Sequence, residues 1–283
     1  MSEGAALEEF LAQSRERVDS DLRDSLPAET EPPAELHRAM RYAVFSGGKR
    51  LRPGLAFGAA VAAGADPECA TPVAGAVELV HAYSLVHDDL PALDDDDERR
   101  GRPTVHVAFG EATAILVGDS LLAEAFAQVA RLPEPAAAAA ASSGLARAAS
   151  STALVGGQVD DLAFVPAEAD LESVTSIHLR KTAALFRFAV WGGGVAAGLE
   201  AAPLERLDGF GRAYGLAFQL ADDLDDADLS ECSILHVLSA EQARGRAREL
   251  LQRAVREIEP FGSDAWALAG LAKRLEGQLP SNP

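Results

Sequence analysis

The sequence predicts an all-α fold, a single bundle of helices that spans residues 1–283. Three observations support this prediction. Alanine is abundant, and together with leucine, glutamate and arginine it favours helix by intrinsic propensity. No segment alternates apolar and polar residues for long enough to suggest a strand. Prolines and glycine pairs fall between the segments with helical patterning, where they would end helices.

Helical patterning divides the chain into nine predicted segments. They are residues 5–25, 34–48, 72–92, 111–132, 135–164, 171–191, 203–226, 239–259 and 263–278. Residues 72–92 are apolar on nearly every face, so we expect a fully buried helix there. The pair Gly156 and Gly157 interrupts one segment, and the glycines at 192–194 are a plausible stop for another.

The net charge of the chain limits the kinds of partner that it can bind. Acidic residues number 44 against 25 basic ones, for a net charge of -19, so the surface should repel nucleic acid and anionic membranes. Cys69 and Cys232 suggest neither a disulfide framework nor a zinc site. The N-terminus has no signal-peptide pattern, and the apolar run 72–86 is shorter than a membrane span. We therefore expect a cytoplasmic protein with no stable membrane insertion.

Two aspartate clusters carry the chemical signal. In the second cluster Asp222 and Asp226 are four residues apart and would share a helical face, whereas Asp223 would lie on another face. Carboxylates gathered at the end of an apolar helix repel one another. Hard divalent cations remove this repulsion, and Mg²⁺ commonly binds through one or two carboxylates plus substrate phosphates.

The first cluster ends the buried segment at Asp88 and Asp89. Pro91 removes a backbone donor, and a bulge there would let Asp94 approach Asp88. The basic pair 99–100 follows and supplies planar donors that suit phosphate oxygens. Either cluster alone could be a solvated acidic loop. Two such clusters favour function, because carboxylates at a helix C-terminus oppose the macrodipole and do not stabilise it.

Several neighbouring residues have plainer interpretations. Lys49 and Arg52 could be surface charges after a Gly-Gly turn, and His81 could be a core histidine. His87 is interpreted as structural. The acidic run 95–98 is expected to be solvated rather than ligating.

At these residues the sequence resembles the trans-isoprenyl diphosphate synthases, above all the short-chain bacterial farnesyl diphosphate synthases. The family's DDxx(xx)D motif, followed by RRG, and its DDxxD motif are matched here by Asp88, Asp89, Asp94, Arg99-Arg100-Gly101, and Asp222, Asp223 and Asp226. The resemblance covers nearly the whole chain. Further matched segments are Gly47-Gly48-Lys49-Arg50-Leu51-Arg52-Pro53, Gly118-Asp119, Gly156-Gly157-Gln158 and Lys181-Thr182.

The resemblance implies a ring of helices around a deep central cavity, with the aspartate clusters facing each other at its mouth. Three Mg²⁺ ions would be held between the clusters and an allylic diphosphate. The implied reaction joins isopentenyl diphosphate head to tail with the allylic substrate through ionisation, condensation and proton loss to the released pyrophosphate. Members of the family are typically homodimers.

The resemblance also implies roles for individual residues. The Mg²⁺ ligands would be Asp88, Asp94, Asp222 and Asp226, with Asp89 and Asp223 as further ligands or supports behind them. The allylic diphosphate would contact Arg99 and Lys181, while Lys49, Arg52, His81 and Arg100 would hold isopentenyl diphosphate without metal. Thr182 and Gln219 would offer oxygens near the carbocation.

Product length is expected to depend on the cavity floor. Tyr83 and Ser84 lie five and four residues before Asp88, which places them about 6–7.5 Å deeper along a helix. The bulky Tyr83 would block the channel. In the family an aromatic residue here, together with the Pro91-Ala92 insertion, goes with the fifteen-carbon farnesyl product.

One segment departs from the family pattern. The loop after Asp226 is short, and alignment on residues 241–244 puts Glu231 where the family has a lysine that helps bind the allylic diphosphate. Two alternatives to an active short-chain synthase therefore stay open. One is a prenyltransferase or terpene cyclase with an altered substrate, although the Asn/Ser/Glu metal triad usual in cyclases is not seen. The other is a non-catalytic regulatory subunit.

Overall fold

The computed structural model describes residues 3–226 and 232–280. Within these ranges nearly all regular structure is helical, which confirms the all-α prediction. The helices are α1 Glu3–Ser25, α2 Ala34–Val44, α3 Leu51–Ala62, α4 Thr71–Asp88, α5 Val105–Phe109, α6 Glu111–Val129, α7 Pro135–Ala148, α8 Leu154–Leu162, α9 Leu171–His178, α10 Ala184–Ala196, α11 Ala201–Asp225, α12 Ala240–Ile258 and α13 Trp266–Gln278. Short 3₁₀ turns occupy Pro67–Ala70, Pro166–Glu168, Ile234–His236 and Glu259–Ala265, and a π-helical turn occupies Leu179–Ala183.

Helix α3 is absent from the predicted segments. Its sequence holds Pro53 and two glycines, Gly54 and Gly58, which look like helix breakers. Pro53 lies in the first turn, where the missing N–H would have no helical partner in any case. The glycines are buried, so close packing with neighbouring helices offsets their low propensity. Tertiary contacts thus decide this helix.

The glycines at 192–194 do not end a helix, as the sequence predicted, but lie inside α10. Helix α10 crosses α3 so closely that a Cβ on Gly193 would stand 2.2 Å from the Ala56 carbonyl oxygen. Helix α4, by contrast, ends earlier than predicted, with Asp89 as its C-cap. The predicted segment 72–92 therefore extended past the end of the helix and included residues 89–92, which belong to the acidic loop.

A two-residue hairpin corrects the prediction that strands are absent. Strand β1 (Glu98–Arg99) pairs antiparallel with β2 (Arg102–Pro103), with Arg99 opposite Arg102. The turn between them contains Arg100 and Gly101, both with positive φ. No alternating pattern could reveal strands this short, because the pairing is set by the tight turn.

All thirteen described helices contribute residues to one continuous hydrophobic core. Helix α4 lies within it and contacts α1, α2, α3, α6 and α10. Two described helical stretches, Pro67–Asp88 and Glu111–Val129, are long and apolar enough to cross a membrane by length and composition. The first is 72% buried inside the fold and the second 39% buried. Core packing accounts for the apolar character of α4, while α6 leaves Ile115 and Leu116 exposed.

The α3–α10 crossing generates a stability prediction. Gly193→Ala should destabilise the protein by about 1–3 kcal/mol, because the added methyl group would overlap backbone that cannot move away. Gly245→Ala in α12 is the matched control, since its Cβ would meet nothing within 4 Å. There the higher helix propensity of alanine should stabilise by roughly 0.5–1 kcal/mol. Urea denaturation measures both, and equal effects on unfolding free energy would contradict the close crossing.

Candidate active site

The first aspartate cluster is folded back onto the end of α4. The Asp94 N–H donates to the Asp88 carbonyl oxygen at 2.9 Å, and the Leu93 N–H donates to the Leu90 carbonyl oxygen at 2.8 Å. These bonds close a compact loop around Pro91. The sequence predicted a bulge at Pro91 that lets Asp94 approach Asp88, and the backbone bond between the two residues agrees with it. The loop thus brings two acidic residues, six apart in sequence, to the same end of one helix.

The two adjacent aspartates of this cluster have different environments. Asp89 is 3% exposed, and its Oδ1 accepts a hydrogen bond from Arg99 Nε at 2.6 Å. Arg99 also pairs with Asp96 at 3.0 Å, and Asp96, like the rest of the run 95–98, is exposed to solvent as predicted. Asp88 has a nearby cation in Lys181 but remains poorly compensated. Burial raises the pKa of Asp88 to about 7 despite Lys181, and the charge of Asp94 adds to the shift.

In the second cluster Asp222 and Asp223 lie on α11, but Asp226 does not. Helix α11 ends at Asp225, and Asp226 follows as an extended C-cap residue. The Asp226 N–H still donates to the Asp222 carbonyl oxygen at 3.0 Å, as in a helical turn. The shared face of the two side chains stays a prediction. Burial raises the pKa of Asp222 to about 6 even though Arg52 lies near enough to oppose the shift. Asp222, like Asp88, is an acid whose negative charge is incompletely neutralised by the protein.

The π-helical turn Leu179–Ala183 connects the two clusters. Lys181 Nζ forms an ion pair with Asp161 Oδ2 on α8, and its charge also influences Asp88 and Asp94. The next side chain, Thr182, donates from Oγ1 to Gln219 Oε1 on α11 at 2.6 Å. Burial opposes protonation of Lys181, but the surrounding carboxylates outweigh it and raise the pKa. π-Helical turns are rare and frequently occur at functional sites.

Close packing of α8 against this turn depends on a glycine. A Cβ on Gly157 would stand 2.3 Å from the Lys181 backbone nitrogen, so no larger residue fits without displacement. The adjacent Gln158 has both side-chain amide atoms buried without a hydrogen-bond partner. Buried amides normally find partners, so the unpaired Gln158 amide is an exception at the contact between α8 and the π-helical turn. Gly156-Gly157-Gln158 was recognised as a motif, but the sequence assigned no role to Gln158.

Asp161 was also missed, although a signal for it exists in the sequence. Asp160 and Asp161 follow one another near the end of α8, much as the paired aspartates do in the two clusters. In the structure Asp160 pairs with Arg180 and Asp161 with Lys181. The acidic pair therefore fixes two consecutive cations of the π-helical turn to α8.

A group of arginines surrounds His81 beside the two aspartate clusters. Burial lowers the pKa of His81 well below the usual range, and the nearby charges of Arg52, Arg100, Arg50 and Arg99 lower it further. Burial lowers the pKa of Arg52 to about 10, so this guanidinium stays protonated at neutral pH. Arg52 lies over the Phe186 ring at 4.5 Å, and its Nε is buried without a partner. The acidic protein thus contains a local basic region after all.

Each cation here has its own surroundings. Arg50 is buried between Glu78 at 2.6 Å and Asp19 at 2.8 Å, so it is a structural residue. Arg100 Nη1 donates to the Gly47 carbonyl oxygen at 2.5 Å. Lys49 is exposed, and its charge reaches Asp222.

Arg50 and Arg100 also border a small cavity. A space of about 40 Å³ is lined by residues of α2, α4 and the hairpin, including His81, Asp89, Arg99 and Arg100. Arg50 and Glu78 also contribute to its wall. Positive charge is therefore available to an anion that enters from this side of the clusters.

The residues present fit a metal that binds together with a phosphate group. Among residues 3–226 and 232–280, no group of three or more His, Cys, Asp or Glu side chains could hold a metal ion by itself. Mg²⁺ does not need such a cage, since one or two carboxylates plus substrate phosphates suffice. The raised pKa values of Asp88 and Asp222 mark the carboxylates whose charge a divalent cation would neutralise. The donor set therefore fits Mg²⁺ with a diphosphate.

Tyr83 lies in the wall of α4, below Asp88. Its side chain is 6% exposed, and its ring meets the His87 ring edge-on with centroids 5.8 Å apart. The hydroxyl is buried without a partner, and burial raises the pKa of Tyr83 to about 12. Ser84 Oγ donates to the His81 carbonyl oxygen at 3.0 Å. Glu231, at the position of the expected lysine, lies outside the described residues.

The chain is similar to known proteins along most of its length. It is 37% identical to the farnesyl diphosphate synthase of Geobacillus stearothermophilus over 246 residues, which are 86% of this chain and 82% of that protein. It is 35% identical over 278 residues to the large subunit 1 of the chloroplastic heterodimeric geranylgeranyl pyrophosphate synthase of Arabidopsis thaliana, covering 90% of this chain and 74% of that one.

Solved structures agree with this similarity. An FPP/GFPP synthase from Zymomonas mobilis superposes with a TM-score of 0.89 at 37% identity, covering 96% of this chain and 99% of that one. A geranyltransferase from Legionella pneumophila gives 0.89 at 33% identity, covering 98% and 99%. Residues 33–254 match the family profile described as polyprenyl synthetase. The resemblance inferred from the motifs is confirmed, and the chain belongs to the polyprenyl synthetase family.

Proposed function

We propose that this protein is a Mg²⁺-dependent short-chain trans-prenyltransferase that condenses isopentenyl diphosphate with dimethylallyl or geranyl diphosphate to give farnesyl diphosphate. Family membership supports the prenyl transfer. The observation that carries the assignment is the pair of incompletely neutralised carboxylates, Asp88 and Asp222, connected through one π-helical turn that bears Lys181 and Thr182. Such a site suits a metal-bound pyrophosphate.

The allylic diphosphate would lie between the two clusters. Asp88, Asp94, Asp222 and Asp226 are the proposed ligands of three Mg²⁺ ions. When bound, these ions would supply positive charge that stabilises the leaving pyrophosphate. Lys181 would contact the same pyrophosphate, and its ion pair with Asp161 would hold the ammonium group in place. Arg99 would contact it too, since its ion pair with Asp89 holds its guanidinium beside the cluster.

Isopentenyl diphosphate would be bound by cations rather than by metal. Lys49, Arg52 and Arg100 are the proposed contacts, and the unpartnered Nε of Arg52 gives one free donor. His81 would take part as a neutral imidazole, because burial and four arginines lower its pKa. A neutral imidazole offers one N–H, so it would orient the diphosphate by a hydrogen bond and not by charge.

After ionisation, oxygens near the allylic carbocation would stabilise it. Thr182 is well arranged for this role, since its hydroxyl proton is directed to Gln219 Oε1 and its lone pairs remain available. Gln219 would then act chiefly by orienting Thr182, with its own oxygen already accepting that hydrogen bond. Gln158 would add a further amide beside the substrate. The released pyrophosphate would accept the proton lost from the condensed product.

We also propose that the chain works as one domain, since its single core draws on all thirteen described helices. A cytoplasmic location and the absence of a membrane span are proposed on the burial of α4 within that core. The net charge of -19 argues against nucleic acid as a partner.

The reaction itself is the first test. Purified protein incubated with Mg²⁺, isopentenyl diphosphate and allylic diphosphates of increasing length should give prenyl diphosphates with farnesyl diphosphate as the end product, detected by mass spectrometry. Chelation with EDTA should abolish turnover. Cyclised or differently linked products would instead support the altered prenyltransferase or cyclase, and a complete absence of turnover would support the regulatory subunit.

Tyr83 provides the test of product length. Tyr83→Ala removes a buried ring from the wall of α4 and should shift the products beyond fifteen carbons. Tyr83→Phe is the matched control, because it keeps the ring and loses only an unpartnered hydroxyl, so its products should not change. Chromatography of dephosphorylated products measures both variants. An unchanged product distribution in Tyr83→Ala would refute the floor assignment.

A homodimer is proposed through the surface of α5 and α6. Val107, Ile115 and Leu116 are 48%, 47% and 54% exposed. Apolar side chains grouped on one face of a helical protein commonly mark an interaction site, and a two-fold dimer uses the same surface on both copies. A second copy of this chain is therefore sufficient to cover the surface.

Light scattering after gel filtration tests the dimer. The native protein should elute with the mass of two chains, and Ile115→Glu should give the mass of one chain, because two charges would face each other across the two-fold axis. Val255→Glu is the matched control, since Val255 is 36% exposed on α12, away from this surface. A native protein with the mass of one chain would refute the dimer.

A further inference from the structure

Asp223 differs from the adjacent Asp222 in having its carboxylate fully engaged by the protein. It is 5% exposed. Its Oδ1 accepts from Gln219 Nε2 at 2.8 Å, and its Oδ2 accepts from the Ile234 backbone N–H at 2.7 Å. A third neighbour, His178 Nε2, lies 3.6 Å from the same Oδ2. Both carboxylate oxygens thus have protein donors, which leaves a metal little access.

The hydrogen bonds of Asp223 determine the orientation of two further side chains. A carboxylate can only accept, so Gln219 must present its NH₂ group to Asp223 and its oxygen to Thr182. The amide oxygen can only accept in turn, so the Thr182 hydroxyl must donate to it. The direction of every hydrogen bond in this chain of three residues is therefore fixed by the negative charge at its far end.

The consequence falls on the oxygen of Thr182. With its proton committed to Gln219, the hydroxyl has only lone pairs left for any other neighbour. If the chain were reversed, Thr182 would accept from the Gln219 NH₂ group and its own proton would be free to point elsewhere. A carbocation is stabilised by the first orientation and repelled by the second.

Resting on the proposed function, we propose that Asp223 is a positioning residue and not a metal ligand: it sets the direction of the hydrogen-bond chain Asp223–Gln219–Thr182, so that Thr182 presents lone pairs to the allylic carbocation. Asp222, one residue earlier on α11, keeps the role of ligand. The aspartate-rich motif at 222–226 would then combine two different tasks in adjacent residues.

Asp223→Asn is the informative variant because it preserves shape while it removes the negative charge and changes the donor pattern. An asparagine cannot accept from both Gln219 and Ile234 through oxygen atoms, so its NH₂ group must face one of them. If the new NH₂ group faces Gln219, the direction of the hydrogen-bond chain is reversed. If it faces Ile234, two donors, the NH₂ group and the Ile234 N–H, point at each other. The matched comparison is Asp222→Asn, which removes a carboxylate of the same size one residue away.

The experiment measures kcat, KM and Mg²⁺ activation for both variants. For Asp223→Asn we expect kcat to fall by about 10- to 100-fold with the allylic KM and the half-activating Mg²⁺ concentration unchanged within about twofold. For Asp222→Asn the Mg²⁺ requirement should rise. An unchanged kcat in Asp223→Asn, or a Mg²⁺ requirement raised as in Asp222→Asn, would overturn the proposal.

Coupling to Thr182 separates positioning from general damage to the fold. In a Thr182→Val background, where the hydroxyl is already absent, Asp223→Asn should cause less than about a threefold further loss of kcat. Fully multiplicative losses would contradict the inference. Should Asp223→Asn fold poorly by circular dichroism, Gln219→Met cuts the same chain at its centre and should show the same kcat loss with unchanged Mg²⁺ activation.

A binding measurement keeps this proposal distinct from the proposed function. Calorimetric titration with inorganic pyrophosphate in the presence of Mg²⁺ needs no turnover. Asp222→Asn should weaken that binding, and Asp223→Asn should not. Equal weakening in both variants would refute the positioning role even if the native protein condensed no prenyl diphosphates, whereas failure of the native protein in the activity assay would count against the proposed function.

Discussion

The ion pair of Lys181 with Asp161 and the hydrogen bond of Thr182 with Gln219 are the interactions on which the site depends. The two side chains are adjacent in sequence, yet they bond to different helices, α8 and α11. A single π-helical turn is therefore fixed from two sides. Its position relative to both aspartate clusters follows from these contacts, because Asp88 and Asp94 respond to Lys181 while Asp223 is tied to Thr182 through Gln219.

Charge is distributed unevenly in this protein. The chain as a whole is strongly acidic, but arginines gather around His81, and Lys181 lies between carboxylates. An anionic substrate thus meets local positive charge within a negative molecule. The resemblance already assigned Arg52, Arg99 and Arg100 to the diphosphates, but their gathering around His81 was not visible from spacing, because they come from two distant segments of the chain. Metal and side chains share the neutralisation in the proposed site.

The aspartates of the two clusters have the same side chain but different surroundings, and they therefore have different roles. Asp89 and Asp223 are buried and already hold protein donors, whereas Asp88 and Asp222 are incompletely compensated, and burial raises their pKa values to about 7 and about 6. The motifs locate all four of them and the resemblance suggests this ranking, but neither shows the contacts behind it. The ranking depends on Arg99, which returns to Asp89 through the hairpin, and on Ile234, whose backbone N–H reaches Asp223 from beyond α11. Sequence spacing contains neither contact.

The sequence by itself determined the helical class, most helix positions, the family and the two acidic clusters, because helical periodicity and motif spacing are local properties of the chain. It missed α3, whose glycines are explained only by close packing against α1 and α13, and it missed Gln158 and Asp161, which gain a role only where α8 meets the π-helical turn. Tertiary structure alone decided which aspartates keep a free carboxylate and which are consumed by donors. The physical reason is that burial and hydrogen-bond partners come from residues far apart in the chain, so they are set by packing and not by spacing.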